Sequence, residues 1–208
     1  MKITKILTRR GRIYEVRFDD GTYINLDRAY ADRLCISEGM TVSEEKANAM
    51  EDESDSIRCL NRALYYISQR DLSEKALKQK LLKAGFMERF VSSSVNRLKE
   101  LGYLSDEDYS VRFARKCHEA GLSKRHTIEK MVQAGFSRES AKEVCDFSSE
   151  DEQEKIRHLL NTKYKGKISD TDGIRKTSAA LSRRGFAFCD IRAVLGEYDR
   201  ALGDMTEE

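Results

Sequence analysis

Proline is absent from the 208-residue chain. Proline breaks helix interiors by removing a donor and clashing with the preceding turn, so a chain without it, rich in Lys, Glu, Leu and Ala, is expected to be mostly helical. Cysteine is sparse. The five present, Cys35, Cys59, Cys117, Cys145 and Cys189, show no C-x-x-C spacing, which argues against a disulfide framework and a structural zinc site and points to a reducing compartment. A long apolar run is missing too: the N-terminus MKITKILTRRGR holds no continuous hydrophobic segment, and no lipidation motif is found. A soluble, cytoplasmic protein is expected. Net charge is nearly absent although 36% of residues are charged, the formal balance being +2. Binding electrostatics must then come from segregation of charge. Residues 1–17 carry net +5 and residues 37–55 net −6; the plain reading of either run is a solvated face.

What is present is a repeat. Gly85-Phe86, Gly135-Phe136 and Gly185-Phe186 recur at an interval of 50 residues, and self-similarity at a period of roughly 20–50 residues marks modules too small to bury their apolar faces alone. Positions 50 apart share chemistry: Leu81, Met131 and Leu181; Val91, Ala141 and Ile191; Val95, Cys145 and Leu195. These read as core columns. Each Gly closes a helix where the chain needs a left-handed residue, and the Phe after it plugs the helix end. Ser73 and Ser123 read as N-caps, Ser105-Asp106-Glu107-Asp108 as a capping-box-like helix start, and Ser148-Ser149-Glu150-Asp151 as the start of the third repeat.

Before the repeats, residues 3–7, 13–18 and 22–26 alternate as strands do, with Asp20-Gly21 as a hairpin signal. A helix over Asp27–Cys35 is expected next, then a long acidic helix from Ser43 with Ile57, Leu60, Ala63, Leu64 and Ile67 at helical spacing. The expected architecture is mainly α: three tandem three-helix repeats in a curved array, preceded by a small N-terminal β-hairpin or sheet. In residue terms these are a β-rich segment at 1–42, an acidic helical linker at 43–56, repeats at 57–104, 105–147 and 148–200, and a tail at 201–208.

Catalytic constellations are not found. His118, His126 and His158 form no helical metal pair and no H-E-x-x-H. Asp170-Thr171-Asp172-Gly173 superficially resembles a calcium loop, but Leu181 stands where a twelve-residue loop needs Glu, so a helix-capping loop is expected there. Glycine-rich phosphate loops are absent. No catalytic, cofactor-binding or metal-ligating residue is therefore assigned, and an enzyme is not expected. Basic residues do gather on the repeats, including Arg112, Arg115, Lys124, Arg125, Lys163, Lys165, Arg183 and Arg184. Lys and Arg arrayed on a solenoid suit a polyanion or an acidic filament. Stacking platforms for single strands are not expected, because the aromatics fall mainly at core spacing.

The stretches Ala63-Leu64, Arg70-Asp71-Leu72-Ser73-Glu74, Leu81-Leu82-Lys83-Ala84-Gly85-Phe86 and Leu98 through Glu107 resemble the RecX family, as does Leu181-Ser182-Arg183-Arg184-Gly185-Phe186 with Ile191 and Val194-Leu195. Together they cover about residues 57–200. Two departures are Ser105, where the family commonly has Asn, and Tyr109-Ser110 in place of an aromatic-Ala pair. Ser caps a helix as Asn does, so the fold is unaffected. The resemblance implies a monomeric, non-enzymatic, cofactor-free regulator that binds RecA filaments on single-stranded DNA and limits RecA recombinase, ATPase and coprotease activities. On that reading Lys124, Arg125, Arg183 and Arg184 are the first candidate contacts, followed by Arg112, Arg115, Lys163 and Lys165. The alternative is a helical repeat protein that binds nucleic acid without RecA.

Overall fold

Alternation of β-branched or aromatic residues with polar ones places successive side chains on opposite faces of an extended chain. In the computed structural model, which describes residues 1–9, 11–168 and 170–204, that stretch forms an antiparallel sheet of β1 (Ile3–Arg9), β2 (Ile13–Phe18) and β3 (Tyr23–Asp27), in this order. The register sets Val16 opposite Ile24 and Tyr14 opposite Leu26. Val16, Phe18, Ile24 and Leu26 consequently share the buried face. At the β2–β3 turn the Asp20 carboxylate accepts from the Thr22 amide at 2.9 Å, and Gly21 takes φ +85°. A short helix, α1 (Arg28–Arg33), follows under an Asp27 cap.

Helix α2 (Glu44–Gln69) is 26 residues long, roughly 39 Å at 1.5 Å per residue. Its first half closes the sheet. Strand β3 is an edge, and an unpaired edge invites association with other chains; here Glu51 accepts from the Asn25 amide at 3.2 Å and Ser54 Oγ from the Asp27 amide at 2.7 Å. Glu53 accepts the Tyr30 hydroxyl at 2.8 Å, and burial together with that carboxylate pushes the Tyr30 phenol up to about 12. The acidic run is thus more than a solvated face, because part of it satisfies backbone donors that a lone three-stranded sheet leaves open. Ala47 and Met50 join the sheet core with Tyr30 and Val42, whereas Cys59 and Ala63 on the same helix join a second core with Leu77, Leu81, Val91 and Val95.

The second core is completed by α3 (Glu74–Lys83) and α4 (Glu88–Glu100). The chain divides into two units, Met1–Ser105 and Asp106–Glu208. The second holds α5 (Asp106–Glu119), α6 (Lys124–Gln133), α7 (Arg138–Val144), α8 (Ser149–Thr162), α9 (Thr171–Arg183) and α10 (Phe188–Asp204). Helices α5–α7 and α8–α10 surround separate cores.

The repeat columns are all core: Leu81, Met131, Leu181, Val91, Ala141, Ile191, Val95, Cys145 and Leu195 are buried. The helix ends are copies of one another as well. In each middle helix the Gly amide bonds the carbonyl three residues back and the Phe amide the carbonyl five back, as in Phe86 to Leu81, Phe136 to Met131 and Phe186 to Leu181. This is the Schellman pattern, and it requires the left-handed φ of Gly85, Gly135 and Gly185. The expected caps are in place, Ser73, Ser123 and Asp170 accepting from backbone amides at the starts of α3, α6 and α9; the structure adds a capping box of Ser148 with Asp151 on α8. Helix α7 stops at Val144 and does not continue to Phe147, because Cys145 leaves helical geometry at ψ 44° while its side chain stays in the core.

Candidate partner-binding surface

In the second unit the segment Gly121–Lys124 forms a corner on which three helices converge. Gly121, at φ +69°, ends α5, and Ser123 opens α6 by accepting the His126 amide at 3.2 Å. The end of α9 reaches this corner through its backbone, the Ser123 amide donating to the Arg184 carbonyl at 3.2 Å. Lys124-Arg125 and Arg183-Arg184 are therefore brought together, although about 60 residues of sequence separate them. Glycine is needed twice here. A Cβ on Gly185 would lie 2.6 Å from Ser123 Oγ and 2.7 Å from His126 Nδ1, and one on Gly121 would lie 2.9 Å from both Arg184 Nη1 and a Leu159 methyl.

The four cations do different work. Arg184 Nη1 donates to the Ala120 and Gly121 carbonyls at 2.9 and 2.8 Å. Those carbonyls lie at the C-terminus of α5, where the helix dipole is negative and a cation is favoured. Lys124 Nζ donates to the Phe147 carbonyl at 2.9 Å and lies 3.6 Å from Asp146. Both side chains fasten the corner. Among the described residues Arg125, 80% exposed and pointing outward, pairs only with Glu129 at 3.2 Å, and Arg183 is exposed with no partner. Arg112 and Arg115 are exposed on α5, with Arg115 3.9 Å from Glu119. Lys163 and Lys165 are exposed at the far end of α8, roughly 17 Å along that helix from Glu152. They do not join the cluster.

Helix α8 supplies a buried ion pair that the sequence reading does not single out. Lys155 Nζ donates to Glu152 at 3.0 Å and to the Leu122 carbonyl at 3.3 Å, and it lies 4.8 Å from the Phe147 ring centroid. Glu152 also accepts the Lys124 amide at 3.1 Å. The two side chains are 7% and 10% exposed, so their worth depends on every partner being kept. A signal was available: Glu152 and Lys155 lie on the stripe of Ile156, Leu159 and Leu160, and a charge at core spacing on a helix has to find a buried partner.

Beside the corner a groove of about 590 Å³ runs between α6, α7 and the starts of α8 and α10, lined by Ile128, Phe147 and Ala187 with Arg125, Arg138 and Lys142 at its edge. Its acids have partners within the chain, Glu129 pairing with Arg125 at the rim at 3.2 Å. Asp190 accepts from Ser149 Oγ at 2.6 Å and Gln153 Nε2 at 3.3 Å, and Glu152 is held as described. Four cations, Lys124, Arg125, Arg138 and Lys142, stand against three acids, Glu129, Glu152 and Asp190, so the lining is cationic by a small margin. The His118 ring lies tilted against Phe147, centroids 5.7 Å apart; burial, then the Lys155 ammonium, hold its imidazole below the ordinary range. Among the described residues no three His, Cys, Asp or Glu side chains converge on a metal position, and no helix is long and apolar enough to cross a membrane.

Residues 59–98 match the family described as RecX, first three-helix domain. The family that this chain resembles is RecX. The matched stretch runs from Cys59 to Leu98, both wholly buried in the second core. The resemblance to RecX extends over the whole chain in the regulatory protein RecX of Streptococcus pneumoniae (strain Hungary19A-6), 25% identical over 210 residues that cover 100% of this chain and 81% of the relative. RecX of Streptococcus pneumoniae serotype 19F (strain G54) matches to the same extent. Two solved structures share the fold. A crystal structure of regulatory protein RecX, 19% identical, superposes with a TM-score of 0.61 over 94% of this chain and 98% of the other. RecX from Lactobacillus salivarius, 20% identical, gives 0.57 over 70% and 97%.

Proposed function

We propose that this chain is a non-enzymatic regulator that binds RecA filaments on single-stranded DNA and restrains RecA recombinase, ATPase and coprotease activities, acting as a cytoplasmic monomer. The observation that carries the reading is the similarity, over the whole of this chain, to regulatory proteins named RecX, joined to a groove whose exposed rim is cationic and whose acids have partners within the chain. Such a rim meets an acidic protein surface or a DNA phosphate, and it governs the rate and register of docking more than final affinity. Arg125 and Arg183 are the leading contacts of the cluster, with Arg112, Arg115, Lys163 and Lys165 as outlying ones. Lys124 and Arg184 act by positioning the corner, since each is tied to backbone carbonyls there.

Co-sedimentation with RecA filaments assembled on single-stranded DNA tests this. The Arg125→Glu/Arg183→Glu variant, altered only at exposed side chains, is expected to keep its fold and bind filaments at least about tenfold more weakly, as reversal of rim charges slows association. Equal binding by the variant would remove this face from the mechanism.

A further inference from the structure

The basic N-terminal run takes no part in the corner just described and belongs to the first unit. At the β1–β2 turn, where Gly11 adopts φ +70°, Arg12 reaches the edge of a cleft of about 350 Å³ whose other walls are Arg58, Asn61, Arg62 and Tyr65 of α2, with Ile13 and Phe86 beneath. Positions 58, 61, 62 and 65 fall on one face of a helix by their spacing. Arg58 is held by Asp55 at 2.6 Å. Neither Arg12 nor Arg62 has a carboxylate partner among the described residues, Arg62 resting only against the Tyr66 ring at 5.9 Å. The Asp27 carboxylate in the wall is engaged as the cap of α1, accepting the Tyr30 amide at 3.2 Å. Three guanidiniums thus stand against two carboxylates, Asp55 on Arg58 and Asp27 in the wall, so the cleft keeps a net positive charge that attracts an anion. Beside them Tyr65, an exception to the aromatics that fall at core spacing, leaves 54% of its surface in water.

We propose that this cleft binds single-stranded nucleic acid directly, its arginines on phosphate oxygens and one base stacked on Tyr65. Guanidinium forks match phosphate oxygens two at a time. An exposed aromatic beside them supplies the sequence-tolerant stacking by which single strands are held, and a base within a duplex is not free to use it. An acidic polypeptide would use the arginines and leave Tyr65 idle. The tyrosine therefore separates the two ligands.

The test is the affinity of the full chain, with no RecA present, for a fluorescein-labelled oligothymidylate across a salt series, so that its outcome is independent of the filament reading. Arg12→Ala/Arg62→Ala is expected to weaken binding at least about tenfold and to flatten the log–log salt slope by about 1.4, since each phosphate of a single strand that an arginine neutralises contributes about 0.7. Tyr65→Ala is expected to lose about 5- to 150-fold, the range of one stacked base, while Tyr65→Phe keeps its affinity. Should removal of Arg62 from the Tyr66 ring disturb the fold, Arg12→Ala alone, on an exposed turn, is expected to lower the slope by about 0.7. The proposal is overturned if the oligonucleotide does not bind, if the arginine variants bind with unchanged affinity and slope, or if Tyr65→Ala binds as well as the parent and polyglutamate displaces the oligonucleotide.

Discussion

The three Gly-Phe pairs look interchangeable in sequence, yet alanine at Gly185 is expected to cost more than at Gly85. Both residues sit in left-handed backbone, φ +85° and +91°, so each substitution forces a side chain into a conformation that costs about 1–2 kcal/mol. At Gly85 the new methyl meets nothing within 4 Å. At Gly185 it would stand 2.6 Å from Ser123 Oγ and 2.7 Å from His126 Nδ1, and Ser123 caps α6. Relief of that overlap displaces the cap or the backbone, adding about 1–3 kcal/mol for overpacking and up to about 1 kcal/mol for the weakened cap. Gly185→Ala is therefore expected to lose about 3 kcal/mol and Gly85→Ala about 1.5 kcal/mol. Native-state amide exchange read peptide by peptide suits a two-unit chain, because each unit reports its own opening free energy. Gly85→Ala should accelerate exchange in α3 and α4, and Gly185→Ala should do so about tenfold more strongly in α6 and α9. Equal losses at the two glycines, or a Gly185→Ala effect that spares α6, would refute the close-approach argument.

Two further outcomes follow from the buried and capping charges. Lys155→Met, which strands the Glu152 carboxylate, is expected to destabilise the second unit by about 3–5 kcal/mol, whereas Glu152→Gln combined with Lys155→Met should recover much of that loss in urea unfolding; a double variant less stable than the single one would show that the pair is not coupled. Acceptance of the Ser148 amide and hydroxyl holds the Asp151 carboxyl below its usual range. A carboxylate depressed in the folded state stabilises above its unfolded pKa and loses that contribution as pH falls through the folded one, so Asp151→Asn should flatten the acid limb of the second unit's stability, and an unaltered limb would count against the capping box.

Legibility in the sequence followed the physics of each feature. The core columns could be read because helix packing fixes what volume and polarity a buried position tolerates, and the Gly-Phe helix ends because left-handed backbone has few alternatives to glycine. The caps at Ser73, Ser123 and Asp170 were readable for a similar reason, since they rest on interactions within one turn. Long side chains were not. Arg184 and Arg125 look alike in sequence, yet one crosses to the carbonyls of α5 and the other faces water, a difference decided by residues about 60 positions away. The acids of α2 read as surface in the sequence because nothing local tells that Glu51 and Ser54 meet the open edge of β3. Tyr65 falls by helical spacing on the face of Arg58, Asn61 and Arg62 and not on that of the buried Cys59 and Ala63, so its exposure follows from its position on α2.

The central claim is tested most directly by the single-stranded-DNA-dependent ATPase rate of cognate RecA as this protein is titrated in, with Arg125→Glu/Arg183→Glu alongside. Inhibition well below one molecule per RecA, abolished in the folded variant, is the result the filament reading predicts. An ATPase rate unchanged at stoichiometric protein would contradict it and leave direct nucleic-acid binding as the function.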